Sequence, residues 1–226
     1  NIQLPPVSAL VLDRNKITTR KKIRRRYRYI TEMVKNPPMF VANRLNEKLK
    51  SAGIEVNGKV FVGITPMNSY PLAEKSILLN DLIALINKHS DNFLAECLFK
   101  TLGAEATGEQ GNSFYSQHAI QTFIKDNNIY FSGTEIVAVS GISRSAKVTP
   151  LSINGVLEKM YFDLNHFDAF YNSLSIAGVD GTLRGRMIGT FAENKFRGKT
   201  GTLNGVSGLA GYFTTPDGED YIVTIM

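Results

Sequence analysis

Phe196-Arg197-Gly198-Lys199-Thr200-Gly201-Thr202-Leu203 and, two residues later, Val206-Ser207-Gly208-Leu209-Ala210-Gly211-Tyr212-Phe213-Thr214 are where the chain changes to period two. Successive side chains of a strand point to opposite faces, so this pattern predicts two adjacent strands. Pro216-Asp217-Gly218 predicts a turn into a third strand over 221–226. A half-built sheet edge is a liability, so further sequence is expected downstream.

Upstream the apolar spacing is helical. Asn36-Pro37-Pro38 opens a helix whose stripe is Met39, Val41, Ala42, Leu45 and Leu49, closing at Gly53. Ile54, Val56, Val60 and Val62 around Asn57-Gly58 predict short strands. Asp81 is expected to cap a helix that buries Leu82, Leu85 and Ile86 and runs to Lys88 or His89. A second helix carries Phe93, Leu94, Cys97 and Leu98 on one side and is expected to stop at Leu102-Gly103. Further helices are expected over 114–126, 151–164 and 183–191, a short strand over 136–139 and a turn over 178–181. Antiparallel strands flanked by helices make the fold class mixed α/β, in the α+β sense.

Composition excludes several classes. Of 226 residues, 43% are hydrophobic and 20% charged, ordinary for a globular chain and wrong for disorder or coiled coil. No apolar run reaches the ~18 residues of a transmembrane segment, and no signal-like opening is present; if the protein is exported, its signal is expected outside this sequence. The net charge of +6 is local. Nine of the 26 basic residues lie between Arg14 and Arg28 with no acid among them, leaving 17 basic against 20 acidic residues elsewhere. Nucleic acid is therefore not expected as a partner. The cluster of Lys21, Lys22, Arg24, Arg25, Arg26 and Arg28 suits phosphates, a membrane surface or an acidic polymer, but a solvated strand or loop face is the favoured expectation. The single Cys97 reads as a buried thiol. His89, His118 and His166 have no partner at ligand spacing, so no metal is expected, and nothing in the sequence asks for a cofactor.

Two short motifs carry chemistry. In Lys199-Thr200-Gly201-Thr202 a cation and hydroxyls line a strand edge, and glycine lets a substrate backbone approach, an arrangement suited to a carboxylate. Ser90-Asp91-Asn92 reads on its own as a helix cap beside a surface amide. Their order matches that of the Ser-x-Asn and Lys-Thr-Gly elements of penicillin-binding proteins.

The chain resembles the low-molecular-mass class C penicillin-binding proteins, the D-alanyl-D-alanine carboxypeptidase/endopeptidase family. The resemblance runs from about Asn36 to the end through five ordered stretches besides the Asn36-Pro37-Pro38 helix start: His89-Ser90-Asp91-Asn92, Ser140-Gly141-Ile142-Ser143-Arg144, Ala177-Gly178-Val179-Asp180-Gly181-Thr182-Leu183, Gly198-Lys199-Thr200-Gly201-Thr202, and Gly208-Leu209-Ala210-Gly211-Tyr212. It implies an incomplete β-lactamase/transpeptidase-like fold over 36–226, with residues 1–35 returning from inserted domains. It also implies a serine acyl transferase acting on peptidoglycan stem peptides outside the cytoplasm, in the periplasm or beyond, and sensitive to β-lactam antibiotics. By that resemblance Ser90 relays a proton, Asn92 holds the substrate amide, Lys199 sets the electrostatics and attracts the terminal carboxylate, Thr200 and Thr202 bind that carboxylate, and Gly201 is substrate-binding. Ile142 and Arg144 resemble positions near the peptide side-chain pocket. The departures are plain. No serine is followed three positions later by lysine, so the nucleophile is expected upstream of this chain, and Ala138-Val139 replaces the family's Asp-Gly. A non-catalytic stem-peptide binder, with an anionic envelope polymer at the basic segment, is the rival expectation.

Overall fold

The structure, a computed structural model, describes residues 4–137 and 145–226. Two compact units divide between Lys75 and Ser76, which places the helix that follows Asn36 with the basic segment.

In the first unit, β1 (Lys16–Ile23) pairs antiparallel with β2 (Arg26–Met33), from Lys16 opposite Met33 to Ile23 opposite Arg26. The basic segment is therefore a hairpin, turned by Arg24 at φ 55° and Arg25. Asn15 is fully buried and ties the hairpin base, its amide donating to the Pro6 carbonyl at 2.8 Å. α1 (Pro37–Ser51) begins where expected, with the Asn36 side chain accepting from the Met39 amide. The strands expected around Asn57-Gly58 are not formed. Ile54, Phe61, Val62 and Ile64 are all exposed there, so no packed face rewards the extended pairing that β-branched residues favour.

The second unit holds the predicted sheet. β4 (Phe196–Leu203) and β5 (Val206–Thr214) pair antiparallel, β6 (Asp220–Ile225) follows, and the two-residue β3 (Ser175–Ile176) completes the order β3-β4-β5-β6. Gly198 lies directly opposite Gly211. A Cβ on Gly211 would fall on the Arg197 carbonyl, and one on Gly198 would meet the Phe196 ring at 2.5 Å, so side chains are excluded from this rung. One face of the sheet presents Tyr212, Ala210 and Ile222 to α5 (Pro150–Tyr161) and α6 (Phe167–Ser173), where Leu157, Leu174, Phe167 and Phe170 close the core. The Tyr212 hydroxyl donates to the Leu157 carbonyl at 2.7 Å, satisfying the one polar atom of that buried ring. The other face packs Phe196, Leu209, Phe213 and Val223 against Ala177 and Leu183.

α2 (Leu79–His89), α3 (Asn92–Thr107) and α4 (Ser113–Asp126) precede these. Two of the sequence expectations need correction here. Asp81 sits in the first turn of α2 and does not cap it, because the helix starts two residues earlier. Gly103 does not end α3; it is buried in mid-helix, where a Cβ would strike the Ser116 backbone nitrogen at 2.8 Å, and the left-handed cap is Gly108 at φ 72°. Gly103 thus serves close helix packing. Residues 183–191 form a 3-10 turn over Gly181–Leu183 and irregular turns rather than a helix, and α6 escaped the periodicity because seven residues are too few to show one. The strand expected over 136–139 and its following turn fall largely outside the described residues. What is described there is a single antiparallel bridge, Glu135 to Lys147.

Candidate active site

Ser90 stands at the joint of α2 and α3. It is the C-cap of α2 in the left-handed region, φ 52° and ψ 48°, with its amide donating to the Ile86 carbonyl. A non-glycine residue there carries a backbone cost of roughly 1–2 kcal/mol. The capping of α3 falls to the next residue: the Asp91 carboxylate accepts from the Phe93 and Leu94 amides at 3.1 and 3.0 Å. The Ser90 hydroxyl is thereby released from cap duty. It accepts instead from Lys199 Nζ at 2.8 Å, across 109 positions of sequence. Asn92 is the first residue of α3, partly buried and two on from Ser90.

Lys199 leaves the helix-covered face of β4, opposite Ala210. Its second partner is the Thr200 carbonyl, also at 2.8 Å. Both partners are neutral, and burial pushes the ammonium below the ordinary lysine value. A half-buried ammonium whose partners among the described residues are neutral can still take an anionic partner. Thr200 points its hydroxyl at Thr182 Oγ1, 2.9 Å away, while Gly201 and Thr202 are exposed. Lys199, Thr200, Gly201 and Thr202 line a groove of about 790 Å³ whose floor is apolar, with Ile153, Leu157, Phe170, Leu174 and Leu209. Ser90 and Asn92 are not among the residues that line it. Ile142 and Arg144 lie outside the described residues.

The family model described as D-Ala-D-Ala carboxypeptidase 3 (S13) family matches residues 4–226. The chain belongs to that family. It is 29% identical over 218 residues to D-alanyl-D-alanine carboxypeptidase DacB of Haemophilus influenzae, covering 94% of this chain and 45% of that protein. The D-alanyl-D-alanine carboxypeptidase of Actinomadura sp. is 31% identical over 195 residues, 82% of this chain and 36% of that one. The crystal structure of penicillin binding protein 4 from H. influenzae in complex with a novel β-lactam matches at a TM-score of 0.80 and 29% identity, over 88% of this chain and 46% of that chain. The mixed α/β fold expected from the sequence is thus the one shared with a penicillin-binding protein. The S13 chain spans less than half the length of the curated relatives it matches.

The S13 chain also places residues that sequence reasoning gave no role. Lys88 donates to Asp180 Oδ2 at 2.5 Å and to the Leu174 carbonyl at 3.0 Å, and Asn87 donates to Ser173 at 2.8 Å. These contacts brace the last turn of α2, and so Ser90, against the segments on either side of β3. Burial pushes the Asp180 carboxyl up, but the Lys88 and Ile176 hydrogen bonds and the charges of Lys88 and Arg197 outweigh it and hold it below its ordinary value. Thr182 is hydrogen-bonded to Thr200, and its amide donates to the buried Ser175 hydroxyl at 3.1 Å. The quoted Ala177–Leu183 stretch was the one available signal for both. Cys97 is half-buried, with its thiol pushed up by burial and by Glu96 and Asp91, so it is a poor nucleophile.

Proposed function

We propose that this chain is the carboxyl-terminal, carboxylate-reading part of a serine-type D-alanyl-D-alanine carboxypeptidase/endopeptidase that acts on peptidoglycan stem peptides outside the cytoplasm. The observation that carries the proposal is the 2.8 Å contact of Lys199 with Ser90, which joins two motifs that lie 109 positions apart. Substrate and β-lactam alike would offer a carboxylate to Lys199, Thr200 and Thr202, with Gly201 admitting the peptide backbone. Ser90 would then pass a proton toward the leaving amine, and Asn92 would hold the substrate amide. A lysine already depleted of water, with no counter-carboxylate among the described residues, gains most from such a partner. The same positive field would help keep a neighbouring catalytic base neutral and able to accept a proton.

The nucleophile is proposed to come from sequence outside these 226 residues, together with its lysine, since no Ser-x-x-Lys occurs within them. Residues before about Asn36 are proposed to return from inserted domains, and Ile142 and Arg144 to lie near the side-chain pocket. A labelled penicillin tests the reading. The full-length gene product is expected to take one covalent label, lost when its Ser-x-x-Lys serine is replaced by alanine. The 226-residue chain alone is expected to take none. Stoichiometric acylation of Ser90 in that chain, or reversible peptide binding with no adduct on the full-length protein, overturns it; the latter outcome supports a stem-peptide binder of the same fold.

A further inference from the structure

The hairpin of β1 and β2 plays no part in the site above. Its distal half carries Arg20, Lys21, Lys22, Arg24, Arg25, Arg26 and Arg28 and no acid. The pairing register distributes these residues around the tip. Arg20 opposite Tyr29 and Lys22 opposite Tyr27 share one face, Lys21 opposite Arg28 and Ile23 opposite Arg26 share the other, and Arg24 and Arg25 form the turn. Lys21 reaches Glu32 at 3.3 Å. Among the described residues the ion pairs engage none of Arg24, Arg25, Arg26 and Arg28, and these four with Ile23 line one shallow concavity. Like charges this close repel one another, and an anion seated among them relieves the repulsion.

Apolar and aromatic groups sit among the cations. Ile23 is 42%, Tyr27 58% and Tyr29 75% exposed, and the Arg20 guanidinium stacks on the Tyr27 ring 4.1 Å from its centre. Buried hairpins keep such residues on an inner face; here they stand at the solvent end. Tyrosine beside arginine at an exposed tip is the composition of an anionic interface with water on one side and hydrocarbon on the other.

We propose that the tip of this hairpin docks on an anionic phospholipid surface. A polymer lying along one face would meet Arg20 and Lys22, or Lys21, Arg26 and Arg28 with the turn arginines, but not both sets. A planar headgroup layer entered by the tip meets both faces and the turn at once and receives Ile23, Tyr27 and Tyr29 at the headgroup level. The proposal rests on the hairpin alone and stands apart from the peptidase reading.

Sedimentation of the 226-residue chain with vesicles tests it. Binding to phosphatidylcholine vesicles containing about one-third phosphatidylglycerol is expected to exceed binding to pure phosphatidylcholine at least tenfold, and to weaken as salt rises. Each cation contributes about fivefold near such a surface, so Arg24→Gln/Arg25→Gln/Arg26→Gln is expected to lose roughly a hundredfold. The corresponding triple replacement by Lys keeps the charge and is expected to retain most of the binding, which separates lost charge from a lost fold. Tyr27→Ala/Tyr29→Ala is expected to bind severalfold more weakly at unchanged charge. Equal binding to the two vesicle types, or a glutamine variant that binds as the parent does, overturns the proposal. So does tight binding of soluble polyphosphate that displaces the vesicles while the tyrosine variant stays unaffected, an outcome that assigns the hairpin to a soluble polyanion.

Discussion

Replacing Lys199 by methionine separates a lysine kept for a ligand from one kept for the fold. The substitution retains the stem that lines the groove and deletes the ammonium. In the unliganded protein it removes two hydrogen bonds of 2.8 Å, to the Ser90 hydroxyl and the Thr200 carbonyl. Each is worth about 0.5–1.5 kcal/mol net, and both acceptors are only partly buried. Against that loss stands relief of the desolvation that depresses the ammonium's pKa, with no carboxylate among the described residues to offset it. That relief offsets part of the loss, so stability should fall by less than the roughly 1–3 kcal/mol that two such hydrogen bonds are worth together. Carboxylate binding has no such compensation. A charge-assisted hydrogen bond is worth about 1.5–3 kcal/mol, which is about 10- to 150-fold in affinity. Calorimetry with a peptide ending in D-alanyl-D-alanine, as free acid and as amide, reads this directly. The parent is expected to prefer the acid, and the methionine variant to bind acid and amide alike and as weakly as the parent binds the amide. A variant that melts far lower while keeping its preference for the acid would make Lys199 a structural cation, and the carboxylate-reading argument would fail.

Lys199 also sets a pH dependence. Because its folded value is depressed, carboxylate affinity should fall as pH rises through that value, below the ordinary lysine pKa of about 10.4, and ligand binding there should be accompanied by proton uptake. In the unliganded protein the sign reverses: the unfolded chain holds the proton more tightly, so this group's contribution to stability rises with pH across the same window. Ser90→Gly should melt higher than Ser90→Ala, by about 1 kcal/mol in chemical unfolding, because glycine accepts φ 52° without strain while both lose the hydroxyl; equal stabilities would mean that the joint relaxes. Gly211→Ala should destabilise the sheet by 3 kcal/mol or more, on the order of a strongly overpacked core, since its Cβ would fall on the Arg197 carbonyl; a variant of parental stability would place the β4–β5 register elsewhere. The stabilisation from the depressed Asp180 carboxyl is complete above about pH 3.9 and is lost as pH falls through its folded value, so Asp180→Asn should be less stable at neutral pH yet show a shallower acid transition. A parallel acid limb in parent and variant would refute that.

Local order was readable from the sequence where one face of an element is buried and the period repeats. β4, β5 and β6, α1, α4 and α5 follow the alternation or the helical stripe to within a few residues, because burying one face requires that pattern. Family membership was legible as well, since short motifs in a fixed order carry more information than any one of them. Where burial gives no reward, propensity misled: Ile54, Val60 and Val62 are strand formers left without a partner sheet. Gly103 looked like a helix stop because sequence cannot distinguish a glycine chosen for its φ from one chosen for its missing Cβ.

The meeting of Ser90 with Lys199 was decided by tertiary structure alone. No local periodicity links positions 109 apart; the contact exists because Asp91 takes over the helix cap, Ser90 accepts a left-handed backbone, and Lys88 and Asn87 pin α2 to the segments flanking β3. The wrapping of the hairpin's cations around its tip is equally a matter of register, because only pairing determines which of two alternating faces each charge shares with its neighbours.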